Sequence, residues 1–499
     1  MPRAPALLLA LAFGVACQVP AANATPAPTG VQPGGTLRVA MPAEVTGFDP
    51  WSADPVSTVA TRQIFETLVE VDPATSKVTP ALASSWQMTN DGATWTFTLR
   101  DGVRFHDGSA LDADAVVASF DRGRMARATA YRALFGDPSA IVRILAPDPR
   151  TVRFELGAPF GPFLAHLAAP QTGIARVGGA GTGPFAAPAG ALGLDGTLTL
   201  RRNDAYWGRD AAGRQLPYLD GLVLRPVRDG PSRLAELRAG RVEVALDLPI
   251  AQASTARSDP SLVVSPRKDA ALASLGINAA AAPFDRPEAR RAVAMAVNRN
   301  ALAAVYGGTS RPATQAVPPG SLAYDDSVAE FAPLDADAAR KALADAHIPT
   351  PISADLAYPS APTAAYPDPQ RVAQSIAADL GKVGVAARLH SADPGALRDA
   401  GATFTLDTTV IGRDPDDVFW PLYGRDDPSG SSLIVGLVRK ARAEADPTKR
   451  AELYKQVSKI ARTDALRVPL LFADKPNAST ARLVGYSGIE YFGTVWLRP

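Results

Sequence analysis

The chain has 499 residues, of which 46% are hydrophobic and 20% are charged, and its formal net charge is +1. A chain of this length exceeds what one hydrophobic core organises, so two or three lobes are expected. The nearly balanced charge argues against nucleic-acid binding, which needs a concentrated basic face.

The first 24 residues predict a signal peptide. Arg3 precedes the apolar run Ala4–Val15, which is too short to span a bilayer but matches the hydrophobic core of a signal peptide. Residues 22–24 (Ala-Asn-Ala) have the small-x-small form that signal peptidase accepts. The mature protein is therefore expected to be exported, to the periplasm or to the outer face of the cytoplasmic membrane.

Cys17 is the only cysteine and gives a second interpretation of this N-terminus. It follows Gly14-Val15-Ala16, which resembles a lipoprotein processing site, so cleavage before Cys17 would leave a lipidated cysteine as the first residue. Simple secretion is the alternative. Residues 25–35, rich in Pro, Ala and Gly, predict a flexible tether. Contact with the membrane is expected only through this lipid anchor.

The first half of the chain after the tether is rich in predicted strands, separated by loops that contain Gly and Pro. The clearest strands are Thr36–Ala40, Thr151–Leu156, Thr197–Arg201, Leu222–Val227 and Val242–Leu246.

A hairpin is predicted within this half. Asn90–Gly92 is typical of a turn, because Asn, Asp and Gly tolerate positive φ. Trp95, Phe97 and Leu99 then alternate with threonines, which is the period of a half-buried strand. Val103–Phe105 is predicted to continue as a second strand.

Helix starts are marked by aspartates. Asp112 precedes a helical apolar pattern, and Asp446 precedes Pro447, a residue favoured at the first helical position. Asp285 is predicted as an N-cap, with Glu288 completing a capping box. Helices are therefore expected to dominate after residue 285.

The segment Pro80–Arg122 resembles, nearly position for position, the signature block of the extracellular solute-binding proteins, family 5, of ABC transporters, which bind peptides, nickel and related solutes. Further segments match the family in the same order and spacing. They are Gly181–Phe185 (GTGPF), Arg202–Gly208 (RNDAYWG), Leu237–Ala245 (LRAGRVEVA) and Leu275–Arg299.

This resemblance implies a periplasmic-binding-protein-like α/β fold (class II, cluster C), in which hinge strands join two α/β lobes and an extra lobe is added. By analogy, lobe I comprises residues 36–52, 171–271 and 468–499, the extra lobe residues 53–170, and lobe III residues 272–467. A monomer is expected to capture a small solute or short peptide between lobes I and III. It would deliver that solute to the membrane permease subunits of an ABC transporter.

The ligand is where the sequence departs from peptide-binding relatives. These carry a segment like GWxxDxxDPDxF, whose first Asp pairs with the peptide ammonium. Here the segment Val410–Trp420 reads VIGRDPDDVFW. One alignment puts Ile411 at the ammonium-binding position, and another puts Arg413 in place of the Trp; neither keeps both residues. A peptide or peptide-like solute is one hypothesis. A sugar, an opine-like compound or a metal chelate is the alternative, and a receptor serving a sensor is a third.

Seven residues are candidates for ligand binding. Asp414 could pair with an ammonium by slippage, with Arg413 as a counter-charge. Each candidate also has a structural interpretation, such as a solvated loop, a strand end or a core tryptophan. The set is Arg413, Asp414, Asp416, Asp54, Ser274, Asn278 and Trp420.

Catalysis, metals and cofactors are not predicted. The chain has no G-x-S-x-G, H-E-x-x-H or P-loop motif. A bare metal ion is also unexpected, because the histidines are few and widely spaced: His106, His166, His347 and His390.

Overall fold

The computed structural model describes residues 30–498 except 52–53, 73–74, 76, 137, 329–331, 398–400 and 425–431. The predicted signal peptide, Cys17 and the first part of the predicted tether lie outside the described residues.

The strands, in chain order, are β1 Thr36–Met41, β2 Val69–Val71, β3 Val78–Pro80, β4 Ala83–Thr89, β5 Thr94–Leu99, β6 Ile141–Asp148, β7 Thr151–Leu156, β8 Phe185–Ala186, β9 Leu198–Arg202, β10 Gly221–Pro226, β11 Val244–Ala245, β12 Leu262–Val264, β13 Arg267–Ile277, β14 Ser310–Pro312, β15 Ile352–Pro359, β16 Val385–Ala392, β17 Phe404–Val410, β18 Arg467–Lys475, β19 Ala478–Thr480, β20 Leu483–Val484 and β21 Trp496–Leu497.

The helices are α1 Pro55–Ile64, α2 Ala113–Met125, α3 Thr129–Phe135, α4 Phe163–His166, α5 Gly230–Arg238, α6 Ile250–Arg257, α7 Pro287–Ala296, α8 Arg299–Val305, α9 Ala336–Asp345, α10 Pro369–Gly381, α11 Asp416–Phe419, α12 Ser432–Ala443 and α13 Pro447–Asp464.

Lobe I is built on a seven-stranded sheet in the order β12-β19-β11-β1-β10-β9-β8. Strand β1 is central and runs parallel to both β10 and β11. Leu37 and Val39 of β1 are fully buried and share one core with Ala60 and Ile64 of α1. Helix α1 therefore packs on this sheet, although the predicted boundary at residue 53 assigned it to the extra lobe.

Lobe III is built on a six-stranded sheet in the order β14-β18-β13-β17-β15-β16. Its core joins buried residues of the sheet, such as Leu275 and Leu406, to Val293 of α7 and Ile376 of α10. A second apolar cluster on the other face packs Phe419 against α12 and α13. Helices on both faces of the sheet make this lobe an α/β layer structure.

The extra lobe is built on a four-stranded antiparallel sheet in the order β4-β5-β7-β6. Phe97 of β5 and Phe154 of β7 meet Phe120 of α2 in a buried aromatic core. The signature block supplies β4, β5 and α2, so its apolar positions serve the packing of this lobe.

Two chain crossings join lobes I and III. Strand β12 in the first sheet is followed at once by β13 in the second, and β18 in the second sheet is followed at once by β19 in the first. Strands β13 and β18 pair antiparallel with each other. The predicted plan of two α/β lobes plus an extra lobe is thus the plan of the described residues.

Most local predictions are confirmed. Strand β5 alternates buried and less buried residues as predicted, and its turn with β4 lies at Asn90–Gly92. Asp112 and Asp446 accept hydrogen bonds from the first turns of α2 and α13.

Two local predictions are wrong. Val103–Phe105 forms only a single bridge, from Arg104 to Ala110, because both edges of β5 are already paired with β4 and β7. The N-cap of α7 is Arg286 rather than Asp285, because Pro287 occupies the first turn and so fixes where the helix begins.

Candidate ligand-binding cleft

A cavity of about 1300 Å³ is walled by all three lobes, and we call it the interlobe cleft. Lobe I contributes Leu246, the extra lobe contributes Trp86 and Trp95, and lobe III contributes residues 410–415. Ligand pockets are usually about 300–1,000 Å³. The cleft therefore has room for a solute larger than a single amino acid.

The loop after β17 forms the lobe III wall of the cleft. Its first residue, Ile411, donates its N–H to the carbonyl oxygen of Ala270. Gly412 follows, and the side chain of Asp417 packs so closely on its backbone that a Cβ there would overlap it. Asp417 Oδ2 in turn accepts the N–H of Asp414 at 3.0 Å. The loop thus has one fixed conformation.

Asp414 is paired inside the protein. Its two carboxylate oxygens accept hydrogen bonds from Nη1 and Nη2 of Arg450, at 2.9 and 2.7 Å. Only 2% of the Asp414 side chain and 8% of the Arg450 side chain are exposed. Burial lowers the pKa of Arg450, but the charge and hydrogen bond of Asp414, together with weaker effects of Tyr454 and Asp416, outweigh burial and raise the pKa overall. Asp414 is therefore engaged by a fork of two charge-assisted bonds.

Asp416 lies behind this wall rather than on it. Its Oδ1 accepts a hydrogen bond from the hydroxyl of Tyr454, and its Oδ2 lies 3.5 Å from Nε of Arg442. Burial raises the pKa of Asp416 to about 6, although Arg442 and His166 act in the opposite direction. The guanidinium of Arg442 lies 4.0 Å over the ring of Trp420, a cation–π contact.

Asp417 links lobe III to the extra lobe. Its Oδ1 lies 3.1 Å from Nε2 of His166, whose Nδ1 lies 2.7 Å from the carbonyl oxygen of Leu134. Burial lowers the pKa of His166, but the charge and hydrogen bond of Asp417, together with the charges of Asp414 and Asp416, outweigh burial and raise the pKa overall. Nearby, the N–H of Gly161 is donated to the carbonyl oxygen of Arg442. The two lobes are thus in direct polar contact beside the cleft.

Arg413 faces the cleft and is half-buried. Among the described residues no carboxylate oxygen lies within 4 Å of its guanidinium. Burial lowers the pKa of Arg413 to about 10, and the positive charge of Arg62 lowers it further, while Asp417 and Glu70 act more weakly in the other direction. Arg413 is therefore a cation whose environment disfavours its charge.

Comparison with known proteins identifies the family of this chain. The family model for bacterial extracellular solute-binding proteins, family 5 Middle, matches residues 77–431, more than half of the chain. The chain belongs to this family. Its fold is accordingly the predicted periplasmic-binding-protein fold.

Individual relatives of the family 5 chain cover nearly its whole length. Di/tripeptide-binding protein 2 of Pseudomonas aeruginosa is 30% identical, over 91% of this chain and 94% of that protein. Heme-binding protein A of Haemophilus influenzae is 27% identical, over 86% of this chain and 85% of that protein. The periplasmic binding protein DppA of Helicobacter pylori, solved with the peptide STSA, is 26% identical, covers 94% of this chain and 99% of its own, and superimposes with a TM-score of 0.72.

Of the seven candidates, only Arg413 and Asp414 line the cleft of this family 5 protein. Asp54 instead caps α1: its carboxylate accepts from the N–H groups of Val56 and Ser57. Burial raises the pKa of Asp54, but hydrogen bonds, that from the Ser57 hydroxyl foremost, outweigh it and lower the pKa.

The remaining candidates have structural positions. Ser274 is buried within β13, where its carbonyl oxygen accepts a hydrogen bond from Tyr366. Asn278 holds the end of that strand, because its Oδ1 accepts from the N–H of Ala280. Asp416 and Trp420 belong to the packing behind the wall. None of these four side chains lines the cleft.

Helix α1 supplies cleft residues that the sequence analysis missed. Pro55, Thr58, Val59 and Arg62 face the cleft, at the spacing i, i+3, i+4 and i+7 of one helical face. The opposite face packs on lobe I through Ala60 and its neighbours. A two-faced helix next to the loop after β1 was the signal that could have identified Arg62.

The described residues contain no group of three or more His, Cys, Asp or Glu side chains arranged to hold a metal ion. Within the same part of the chain, no helix combines the length and the apolar character needed to cross a bilayer.

Proposed function

We propose that this chain is the exported solute-binding component of an ABC importer, which captures a peptide or peptide-like solute in the interlobe cleft and delivers it to a membrane permease. The observation that carries the proposal is the cleft itself, a cavity of about 1300 Å³ whose wall is divided among three lobes. A solute held there touches all three lobes at once.

The two crossings between lobes I and III supply the movement. Within the described residues, the chain passes between lobes I and III where β12 continues into β13 and where β18 continues into β19. Rotation about these crossings would open and close the cleft. A solute that contacts both sides binds the closed form better than the open form, and that difference in affinity populates the closed form. The permease would recognise the closed form.

The peptide assignment is supported by two relatives. The relative from Pseudomonas aeruginosa is named a di/tripeptide-binding protein, and DppA of Helicobacter pylori was solved with the peptide STSA. The heme-binding relative, at similar identity, shows that ligand type varies among proteins this similar. The same fold holding a non-peptide solute is therefore the alternative, and it is supported because neither alignment of the segment at residues 410–420 keeps both the Trp and the Asp of peptide-binding relatives.

The role also implies a location. We propose that the protein is a monomer exported to the periplasm or to the outer face of the cytoplasmic membrane. Lipidation of Cys17 would be its only attachment to the membrane. Substituting Cys17→Ser should release the protein from the membrane fraction. Retention of that variant in the membrane fraction would contradict the lipid anchor.

The test of the function is native mass spectrometry of the freshly purified protein, followed by small-angle scattering with and without the recovered solute. We expect one bound solute per chain, released unchanged, and a smaller radius of gyration in its presence. Peptide masses would support the peptide assignment, and a single non-peptide mass the alternative. Absence of any solute, with no compaction by a panel of peptides, sugars and carboxylic acids, would contradict the function.

A further inference from the structure

The charges in the wall of the interlobe cleft are not balanced. Seven lysine and arginine side chains line the cleft against five aspartate and glutamate side chains. Three of these cations lie within 4 Å of a carboxylate of the same wall: Arg450 beside Asp414, Lys475 beside Asp247, and Arg267 beside Glu490.

The other four cations have no carboxylate oxygen within 4 Å among the described residues. Lys77 and Lys268 are exposed, so water stabilises their charges. Arg62 and Arg413 are half-buried, and the charge of Arg62 lowers the pKa of Arg413. Two arginines therefore repel each other in the cleft with no ion-pair partner supplied by the described wall.

Among the described residues, four of the five carboxylates of the wall already have an ion-pair partner. Asp414, Asp247 and Glu490 are paired as above, and Asp269 forms an ion pair with Arg311. Asp72 accepts the N–H of Thr75. In one of the two alignments of this segment, Ile411 occupies the position of the ammonium-binding aspartate.

Much of the rest of the wall is apolar, although Thr58 and Gln171 also line it. Trp86, Trp95, Val59 and Leu164 line the cleft from α1 and the extra lobe. A charge in such surroundings is costly unless it is paired and hydrogen-bonded. A guanidinium has a planar fork of donors that matches a carboxylate or phosphate oxygen pair. The cleft therefore combines a largely apolar wall with two guanidiniums that have no ion-pair partner among the described residues, although that of Arg62 also lies 5.9 Å over the ring of Tyr491.

We propose that the cleft is built for an anionic solute, whose carboxylate or similar oxyanion pairs with Arg413 and Arg62 and which needs no free ammonium group. A peptide with a blocked or amide-linked amine belongs to this class, and so does an apolar organic acid. The inference rests on the proposed function and specifies its ligand.

The test uses three tripeptide probes of nearly equal size on protein that has been unfolded and refolded to remove any co-purified solute. N-acetyl-trialanine carries only the carboxylate, trialanine amide only the ammonium, and trialanine both. Binding is measured by calorimetry and by the shift in melting temperature. We expect N-acetyl-trialanine to bind at least tenfold more tightly than trialanine amide. Equal or tighter binding of the amide, or no binding of N-acetyl-trialanine at 10 mM, would overturn the inference.

Variants assign the effect to the two arginines. Arg413→Gln and Arg62→Gln should each weaken binding of N-acetyl-trialanine at least tenfold, and Arg413→Lys should weaken it less, because the charge is kept and only the fork is lost. Arg388→Gln, which removes the same charge from an exposed site on β16 of the same lobe, is the matched control and should leave binding unchanged.

A second measurement separates ligand binding from a structural role. Because Arg413→Gln relieves repulsion from Arg62, the variant without solute should melt at the same or a higher temperature than the unmodified protein. A lower melting temperature with unchanged binding would make Arg413 a structural residue. If neutral or cationic solutes compact the protein while anions do not, this inference fails and the transport function stands.

Discussion

Arg413 and Asp414 are neighbours in sequence, but the fold treats their charges in opposite ways. The carboxylate of Asp414 turns inward to the buried fork of Arg450. The guanidinium of Arg413 turns into the cleft, where no described carboxylate pairs with it. The comparison teaches that a charge in a family 5 cleft becomes a candidate ligand contact only when the protein leaves it uncompensated. Charge at the right place in the sequence is not sufficient.

The largest expected effect comes from removing the carboxylate of Asp414, the paired charge in this comparison. Asp414→Ala would leave Arg450 charged, buried and unpaired, so we expect the free energy of unfolding to fall by about 3–5 kcal/mol, the cost of breaking a buried ion pair. Equilibrium urea unfolding measures it. The double variant Asp414→Ala with Arg450→Met should recover part of the loss. If Asp414→Ala leaves stability intact and reduces only ligand binding, Asp414 is a ligand contact as first hypothesised.

Glu66 sharpens the comparison, because it is a buried carboxylate that binds neutral donors rather than a cation. Its oxygens accept hydrogen bonds from the hydroxyl of Tyr206 at 2.8 Å and from Nε1 of Trp207 at 3.0 Å. Burial raises the pKa of Glu66 to about 7, although these hydrogen bonds act in the opposite direction. Hydrogen bonds from neutral donors therefore do not hold the pKa of Glu66 at its ordinary value.

The raised pKa of Glu66 predicts a pH dependence of stability. The folded protein holds this proton more tightly than the unfolded chain, so the contribution of Glu66 to stability is fully present below about pH 4.3 and falls by about 3 kcal/mol as the pH rises to about 7. In Glu66→Gln the amide oxygen can accept from Trp207 while the amide nitrogen donates to Tyr206. Urea unfolding between pH 5 and 8 should therefore show a steeper loss in the unmodified protein than in this variant. Equal slopes would contradict the prediction.

Sequence patterns predicted what depends on neighbours in the chain. The alternation in Trp95, Phe97 and Leu99 and the caps at Asp112 and Asp446 are local, and the structure has them as predicted. The failure at Val103–Phe105 arose because sheet edges are filled by distant strands, here β7. Strand propensity alone does not show which edge is still open.

The site was predicted less well for the same physical reason. Residues 410–415 of the segment predicted to bind the ligand line the cleft, whereas Asp416 and Trp420 do not. The partner of Asp414 is Arg450, from α13, and no spacing rule connects the two. Arg62 was missed because its role depends on which face of α1 packs on lobe I. Pairing between distant charges decides which of them remain for a ligand, and one sequence does not contain that pairing.

A substitution at Gly412 tests whether the contacts of Asp417 hold the loop that carries Arg413. A Cβ at this position would overlap the side chain of Asp417, which accepts the N–H of Asp414. Gly412→Ala should therefore displace Asp417 and destabilise the protein by about 2 kcal/mol, a typical cost of overpacking. Gly436→Ala, in helix α12 with open space around the new methyl group, is the matched control and should not destabilise. Equal melting temperatures for both variants would contradict a tightly packed loop.

The smallest expected effect concerns His166, the histidine that pairs with Asp417 in this cluster. It faces Asp417 directly, Asp414 and Asp416 at longer range, the rings of Phe135 and Phe160, and the carbonyl oxygen of Leu134. These acidic groups raise its pKa above the ordinary 6.5. The imidazolium therefore contributes stability that is fully present below about pH 6.5 and is lost as the pH rises through the higher pKa of the folded protein.

His166→Gln should show this sign directly. At pH 5.5 we expect the variant to be less stable by about 1.5 kcal/mol, the low end for hydrogen bonds to charged groups, because a quarter of the Asp417 side chain is exposed. The difference should shrink steadily between pH 6.5 and 9. Since this contact joins the extra lobe to lobe III, hydrogen exchange of the amides in residues 160–166 and 411–417 would report it locally. If the loss of stability caused by the substitution instead grows with pH, His166 is neutral in the folded protein. Asp417 would then have no ion pair with His166, and the prediction would be wrong.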